Sequence, residues 1–202
     1  DRDQHLVTTL NPLDIDPWHS SFGRIYRQLI DDGVMSVMSA HIAFPAYAKA
    51  HGAQGLESCR PASVSRLLNQ QLLREELGFN GVIVSDAAGM GGLTSWAERA
   101  QLVCDIFNSG CDMLLFPSPF EGDLAHLEHG LANGHVSWER IDEALLRVLG
   151  MKAALGLHRQ SMDQRLPAIT QAQRVIRQAS HIEIEKTVAS ACVSLVKDVQ
   201  GL

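Results

Sequence analysis

Cysteine is scarce in this chain and unpatterned. Cys59, Cys104, Cys111 and Cys192 are the 4 among 202 residues. They form no Cys-x-x-Cys pair, so the sequence writes in neither a disulfide framework nor a zinc knuckle. Buried free thiols are the expectation, which suits a reducing compartment and a cytoplasmic location and leaves periplasmic or secreted placement open. Long apolar runs are missing too: nothing approaches the roughly 18 residues of a membrane span. Basic clusters are also lacking, with Lys and Arg numbering 17 against 23 Asp and Glu and a formal net charge of −6. A nucleic-acid or anionic-membrane partner needs clustered cations, so neither is expected. The first residues, DRDQHLVTTLN, have no initiator Met and no charged-then-apolar leader design, and the chain is expected to continue upstream.

With 46% hydrophobic residues there is ample material for a core. Strand-like runs alternate with helical ones. GVMSVMSAHI (33–42) is a β-rich run closing on His41. In 61–78, Val64, Leu67, Leu68 and Leu72 recur at helical spacing, with Gly78 as the stop. GVIVSD (81–86) is an apolar strand followed by a glycine loop. Ser95 and Glu98 have capping-box spacing and are expected to open the next helix. CDMLLFP (111–117) is a third strand, 120–133 a helix stopped at Asn133-Gly134, and Ser137 caps a longer helix stopped by Gly156. This alternation predicts an α/β fold with parallel strands and crossover helices. Three strands cannot close a barrel and leave a thin open sheet. Beyond Gly156, residues 157–173 read as a polar linker and a last helix is expected from about Arg174 to Ala191. CVSLVKDVQGL is a strand-like run placed as the entry to a further domain.

Asp86 is the foremost chemical candidate, because the C-terminal end of a parallel strand is where α/β sheets and barrels bind ligands. The plainer alternative is a helix N-cap, but the next helix is expected some nine residues on, near Ser95. Gly89, Gly91 and Gly92 are expected to let a ligand approach the backbone. Asp3 and His5 stand two apart, and a carboxylate beside an imidazole fixes its tautomer and raises its basicity. That pair reads as a general acid/base, or as part of a metal site with Asp1 and Asp86, or as a solvated loop. His41 ends its strand at the level of Asp86. Asp112 begins its strand, the wrong end for a site, and is expected to cap or pair. His126, His129 and His135 lack supporting carboxylates and read as surface residues. Trp96 is a candidate for stacking on a sugar.

LGFNGVIVSDAAGMGG resembles the nucleophile segment of glycoside hydrolase family 3. DRDQHLVTTLN, VMSAHIAFPA and SRLLNQQLLREELGF resemble that family's flanking segments in the same order, and SLVKD its entry to a second domain. The resemblance implies that residues 1–156 are the C-terminal part of a (β/α)8 TIM-type barrel. Residues 157–202 would then be linker, helix and the entry to a missing second domain. It implies Asp86 as nucleophile and Asp3-Gln4-His5 as the Asp-x-His acid/base dyad of the β-N-acetylglucosaminidase branch, carried on a mobile loop. His41 and Met90 are implied near the sugar. The family's Lys-His pair and substrate-binding Asp and Arg lie upstream of the dyad, outside these residues. Ala87 stands where glucosidase branches often carry Trp.

The implied chemistry is retaining hydrolysis of β-linked N-acetylglucosamine or a related β-hexoside, through a covalent glycosyl-enzyme and without a cofactor. β-Glucoside hydrolysis and phosphorolysis remain variants, because a neutral histidine base repels an anionic acceptor less than a carboxylate does. Two other readings stand beside it: a metal-dependent barrel hydrolase, and a non-catalytic barrel fragment. The expected partners are a carbohydrate substrate and the upstream half of the same protein.

Overall fold

A computed structural model of the chain describes residues 2–117 and 119–194. Two units divide at Leu155 and Gly156. In the first, five strands form among the described residues: β1 (Thr9–Leu10), β2 (Ser36–Ser39), β3 (Ile42–Ala43), β4 (Val82–Ala87) and β5 (Met113–Leu115). β2, β4 and β5 make a parallel sheet in that order, and β1 pairs in parallel with β3. The expected α/β architecture with parallel strands is therefore present. The short β1–β3 pair was not anticipated.

Helices α1 (Ile15–Ser20) and α2 (Phe22–Asp31) precede β2, and α3 (Pro45–Ala50) follows β3. The helix expected over 61–78 forms as a 3₁₀ turn, Ala62–Val64, and a π-helix, Leu67–Glu76. Leu68, Leu72 and Leu73 of the π-helix are buried, and Gly78 takes φ +74° to end it. Then come α4 (Gly91–Thr94), α5 (Arg99–Asn108), α6 (Phe120–Ala132) and α7 (Trp138–Ala154). Ser137 caps α7 as expected, its Oγ accepting the Arg140 N–H at 3.2 Å. The Ser95–Glu98 capping box does not form. Ser95 ends α4 instead, and α5 starts after Glu98 without a side-chain cap.

Ile83 of β4 is fully buried and packs with Phe44, Tyr47, Leu72, Leu102 and Ile106 into one core. Continuous burial of Val82 and Ile83 is what a strand covered on both faces requires. At the start of β5, buried Asp112 gathers Arg74 at 2.7 Å, Arg140 at 2.5 Å and Arg147 at 3.4 Å, and accepts the Ile83 N–H at 3.0 Å. It pairs, as its position at the strand start predicted.

In the second unit, the stretch expected as linker holds α8 (Met162–Arg165) and α9 (Ile169–Val175), and α10 (Ala179–Ala191) starts later than Arg174. A full capping box on α8, Ser161 with Gln164, accounts for the first of these turns. The strand-like run after Val193 lies, save Ser194, outside the described residues, as does Asp1. Cys104 and Cys111 are buried free thiols as expected, but Cys59 is half-buried and Cys192 exposed.

Candidate active site

The C-terminal ends of β2, β4 and β5 lie at one end of the parallel sheet, and β4 does not reach that end evenly. Val84 pairs with Met113 and Ala87 with Leu115, so three steps along β4 match two along β5. The surplus residue is a bulge at Ser85–Asp86, a device that re-aims side chains beside sites. Ser85 fills the broken ladder: its Oγ accepts the Leu115 N–H at 3.0 Å and donates to the Asp86 carbonyl at 2.9 Å. Asp86 is half-buried, and its Oδ1 accepts the Ala87 N–H at 2.7 Å. Among the described residues no cation pairs with its carboxylate. A helical turn, α4, begins five residues after Asp86 rather than nine, yet Asp86 caps nothing there: Met90 is the N-cap.

The turn after Asp86 receives the chain's first residues. Gly91 N–H donates to the His5 carbonyl at 2.8 Å and Gly92 N–H to the Gln4 carbonyl at 3.0 Å. Thr8 Oγ1 donates to the Gly92 carbonyl at 2.6 Å. A Cβ on Gly91 would lie 2.4 Å from the Leu6 carbonyl oxygen, and one on Gly92 2.4 Å from that of Gln4. These glycines therefore admit protein backbone at this end of β4. Gly89, with nothing within 4 Å of a built Cβ, is the one that faces open space.

On that docked loop Asp3 and His5 form the dyad. Asp3 Oδ1 accepts from the His5 backbone N–H at 2.9 Å and from its Nδ1 at 2.7 Å. The carboxylate fixes the Nδ1–H tautomer and leaves Nε2 outward. Both side chains are exposed, at 70% for His5 and 58% for Asp3, so Nε2 has access to a ligand. The backbone bond from His5, then its ring, hold the Asp3 carboxyl below its ordinary range.

His41 is fully buried at the end of β2. Its Nε2 donates to the Ala87 carbonyl at 2.9 Å, which leaves Nδ1 to accept from Ser63 Oγ at 2.7 Å. Burial pushes its pKa down, so the ring is neutral at pH 7. Both ring nitrogens are engaged by protein, within one residue of Asp86. Met90, also buried, caps α4 through its carbonyl and bonds Ala87 through its N–H at 3.1 Å. Trp96 is half-buried with the Arg60 guanidinium 5.2 Å over its ring. Among the described residues no three His, Cys, Asp or Glu are placed to hold a metal ion, His126, His129 and His135 included.

Four residues at this end went unread in the sequence. Besides Ser85 and Gln4, Arg99 ties the turn after Asp86 to α6: it donates to the Ala88 carbonyl and to both oxygens of Asp123, the Nε bond being 2.7 Å. Phe116, exposed just after β5, has φ +51°, which a phenylalanine rarely adopts. Ser85, Gln4 and Arg99 carry no local signal, since each matters through a partner distant in sequence.

A half-buried carboxylate thus stands on a bulge at a parallel strand end, with a carboxylate–histidine pair docked on the turn that follows it. Comparison with known proteins names the family: the model of the glycosyl hydrolase family 3 N terminal domain matches residues 1–151. The chain belongs to that family, and its fold is part of the family's TIM-barrel-like domain. It is 39% identical over its whole length to a beta-N-acetylglucosaminidase/beta-glucosidase of Cellulomonas fimi, covering 35% of that protein. It is 30% identical over 80% of its length to beta-hexosaminidase A of Pseudoalteromonas piscicida, covering 28% of it. Among solved structures, beta-glucoside phosphorylase BglX bound to 2FGlc superposes over 99% of this chain and 35% of its own, with a TM-score of 0.86 and 37% identity. The chain thus spans about a third of the length of these relatives.

Proposed function

We propose that this chain carries the nucleophile and the acid/base of a retaining glycoside hydrolase that removes β-linked N-acetylglucosamine or a related β-hexosyl residue. The observation that carries the proposal is the docking of the exposed Asp3–His5 dyad, by backbone hydrogen bonds from Gly91 and Gly92, onto the turn that follows Asp86. In this reading the Asp86 carboxylate attacks the anomeric carbon as the glycosidic oxygen leaves. His5 Nε2, protonated, gives its proton to that oxygen, and Asp3 stabilises the imidazolium through Nδ1. Neutral His5 then takes a proton from the incoming water, whose oxygen displaces Asp86 from the sugar.

A second acceptor is favoured by a specific similarity: the relative with a TM-score of 0.86 is a beta-glucoside phosphorylase. A neutral histidine admits phosphate in place of water at the second step, with release of a sugar 1-phosphate. The expected partner is the rest of the barrel. Exposed Leu10 on β1 and Met38 on β2 border an apolar cleft of about 510 Å3, also lined by Trp18, Tyr26 and Phe44, that contains neither Asp86 nor His5. Upstream residues of the same protein would pack there. A cytoplasmic location is proposed with it, on the free thiols alone.

The test is intact mass after incubation of the full-length protein with a fluorinated glycosyl inactivator, followed by a peptide map. An adduct on Asp86 is expected, with turnover insensitive to a chelator. An adduct on another residue, or full turnover by Asp86→Ala, would overturn the assignment. Loss of turnover with chelator would favour the metal-dependent alternative. Sugar 1-phosphate formed in phosphate buffer would identify the phosphorolytic variant.

A further inference from the structure

The residue between the two members of the dyad has a distinct environment. Asp3 and His5 are exposed, whereas Gln4 is half-buried and turned inward. Its Oε1 accepts the backbone N–H of His41 at 2.9 Å. The acceptor is the amide oxygen, because the partner is a backbone donor.

His41 lies in the gap between β2 and β3, where no ladder partner takes its N–H. Every one of its polar groups reaches a different segment. The N–H goes to Gln4, the carbonyl accepts Thr9 N–H at 3.3 Å, Nδ1 meets Ser63 at 2.7 Å and Nε2 meets Ala87 at 2.9 Å. One buried residue therefore links the loop bearing the dyad to the strand end bearing Asp86. Gln4 is the side chain that makes the first of those links, and its carbonyl makes a second one through Gly92.

We propose that Gln4 is a positioning residue for the acid/base, its side chain latching the dyad loop to His41 and so setting the place of His5 relative to Asp86. The proposal rests on the function given above for Asp86 and His5. The loop has little apolar anchoring of its own: Leu6 and Val7 are exposed at 73% and 39%. Its seat depends on the hydrogen bonds at Gln4, His5 and Thr8. Removing the Gln4 acceptor leaves the His41 N–H unpaired in a dry site, which favours a loop position that lets water in.

The experiment compares two β-glycosides in the full-length protein, one with a dinitrophenolate leaving group and one with an alkyl alcohol. The first needs no proton to leave, and the second does. Gln4→Met keeps the bulk and removes the acceptor, Gln4→Asn keeps the amide one methylene short, and Gln4→Glu keeps an acceptor at full reach. His5→Ala and Asp86→Ala are the references. Because general acid catalysis contributes about 10²–10⁴-fold, Gln4→Met and Gln4→Asn are expected to lose about 30-fold in kcat/KM on the alkyl glycoside. On the dinitrophenyl glycoside kcat/KM should stay within about threefold, while kcat and KM fall together because the base for the second step is misplaced. Gln4→Glu should return the alkyl value to within about threefold of the parent. Equal losses on both substrates, or none on either, would overturn the positioning role. If His5→Ala shows no dependence on the leaving group, or Asp86→Ala stays active, the functional reading falls and this proposal with it.

Discussion

Asp112→Ala should be among the strongly destabilising single changes in the first unit away from the site. The carboxylate is fully buried and serves three guanidinium groups whose own side chains are only 8%, 10% and 22% exposed. It joins the π-helix through Arg74 and α7 through Arg140 and Arg147 to the start of β5. Through Ile83 N–H, at 3.0 Å, it joins β4 as well. Removing one partner of a buried ion pair costs about 3–5 kcal/mol, chiefly from the uncompensated charge left behind. Leaving the Ile83 N–H unpaired adds to that, at about 1–3 kcal/mol for a buried donor. The two losses share one site and are not additive, so we expect about 4 kcal/mol. Each kcal/mol lowers the melting temperature of a unit this size by about 2–4 °C, hence a fall of about 8–16 °C. Asp112→Asn retains an acceptor for Ile83 and should recover about 1 kcal/mol of the loss. Urea unfolding followed by tryptophan fluorescence, with calorimetry in parallel, measures both variants. A shift in the Asp112→Ala midpoint equivalent to less than about 1 kcal/mol would refute the claim that this cluster holds the strand starts together.

Other outcomes follow from the geometry of the opposite end. Gly91→Ala would put a methyl 2.4 Å from the Leu6 carbonyl oxygen; displacement of the dyad loop should cost at least about tenfold in kcat/KM, since misplacements near 1 Å cost about 10²-fold. Gly89→Ala meets nothing within 4 Å and should leave kcat/KM unchanged, so similar losses at both positions would sink the distinction. His41 is held below its ordinary value of 6.5 by burial, so the unfolded chain takes up its proton first and stability falls as pH drops below that value. Urea midpoints at neutral and mildly acidic pH should therefore separate less in His41→Gln than in the parent, and an unchanged separation would contradict a buried neutral ring. The Asp3 carboxyl, held down by bonds from His5, should titrate below 3.8 by NMR. Its contact with His5 should persist at neutral pH and be lost only as pH falls through that lowered value, and a midpoint at or above 3.8 would count against the dyad.

Much of the fold was legible where local chemistry decides it. Val82-Ile83-Val84 marked a covered strand, Gly78, Gly134 and Gly156 marked helix ends and take positive φ, and Ser137 caps α7. The misreadings have identifiable causes. Ser95 and Glu98 have the spacing of a capping box, but the turn at Gly91–Thr94 uses Ser95 as its own end. The polar stretch after Gly156 looked like linker because its short helices bury no residue, so no apolar stripe announces them. Helices α1 and α2 are absent from the sequence expectations, although in α2 Phe22, Ile25, Tyr26, Leu29 and Ile30 recur at helical spacing and Tyr26 and Ile30 pack against the core.

By itself the sequence determined where each candidate residue falls on its element: Asp86 at a strand end, Asp3 beside His5, Asp112 at a strand start. Those follow from residue type and from spacing within a few positions. What only the tertiary structure decided is their arrangement. The bulge at Ser85–Asp86 exists because β5 is one residue shorter in step than β4. Gly91 and Gly92 must be glycine because residues 4 to 6 pass against them, and Thr8 bonds Gly92 across 84 positions of sequence. His41 takes one tautomer because Ala87 offers it only a carbonyl. Each of these is a contact between distant segments, and a contact has no signature in the local pattern of either partner.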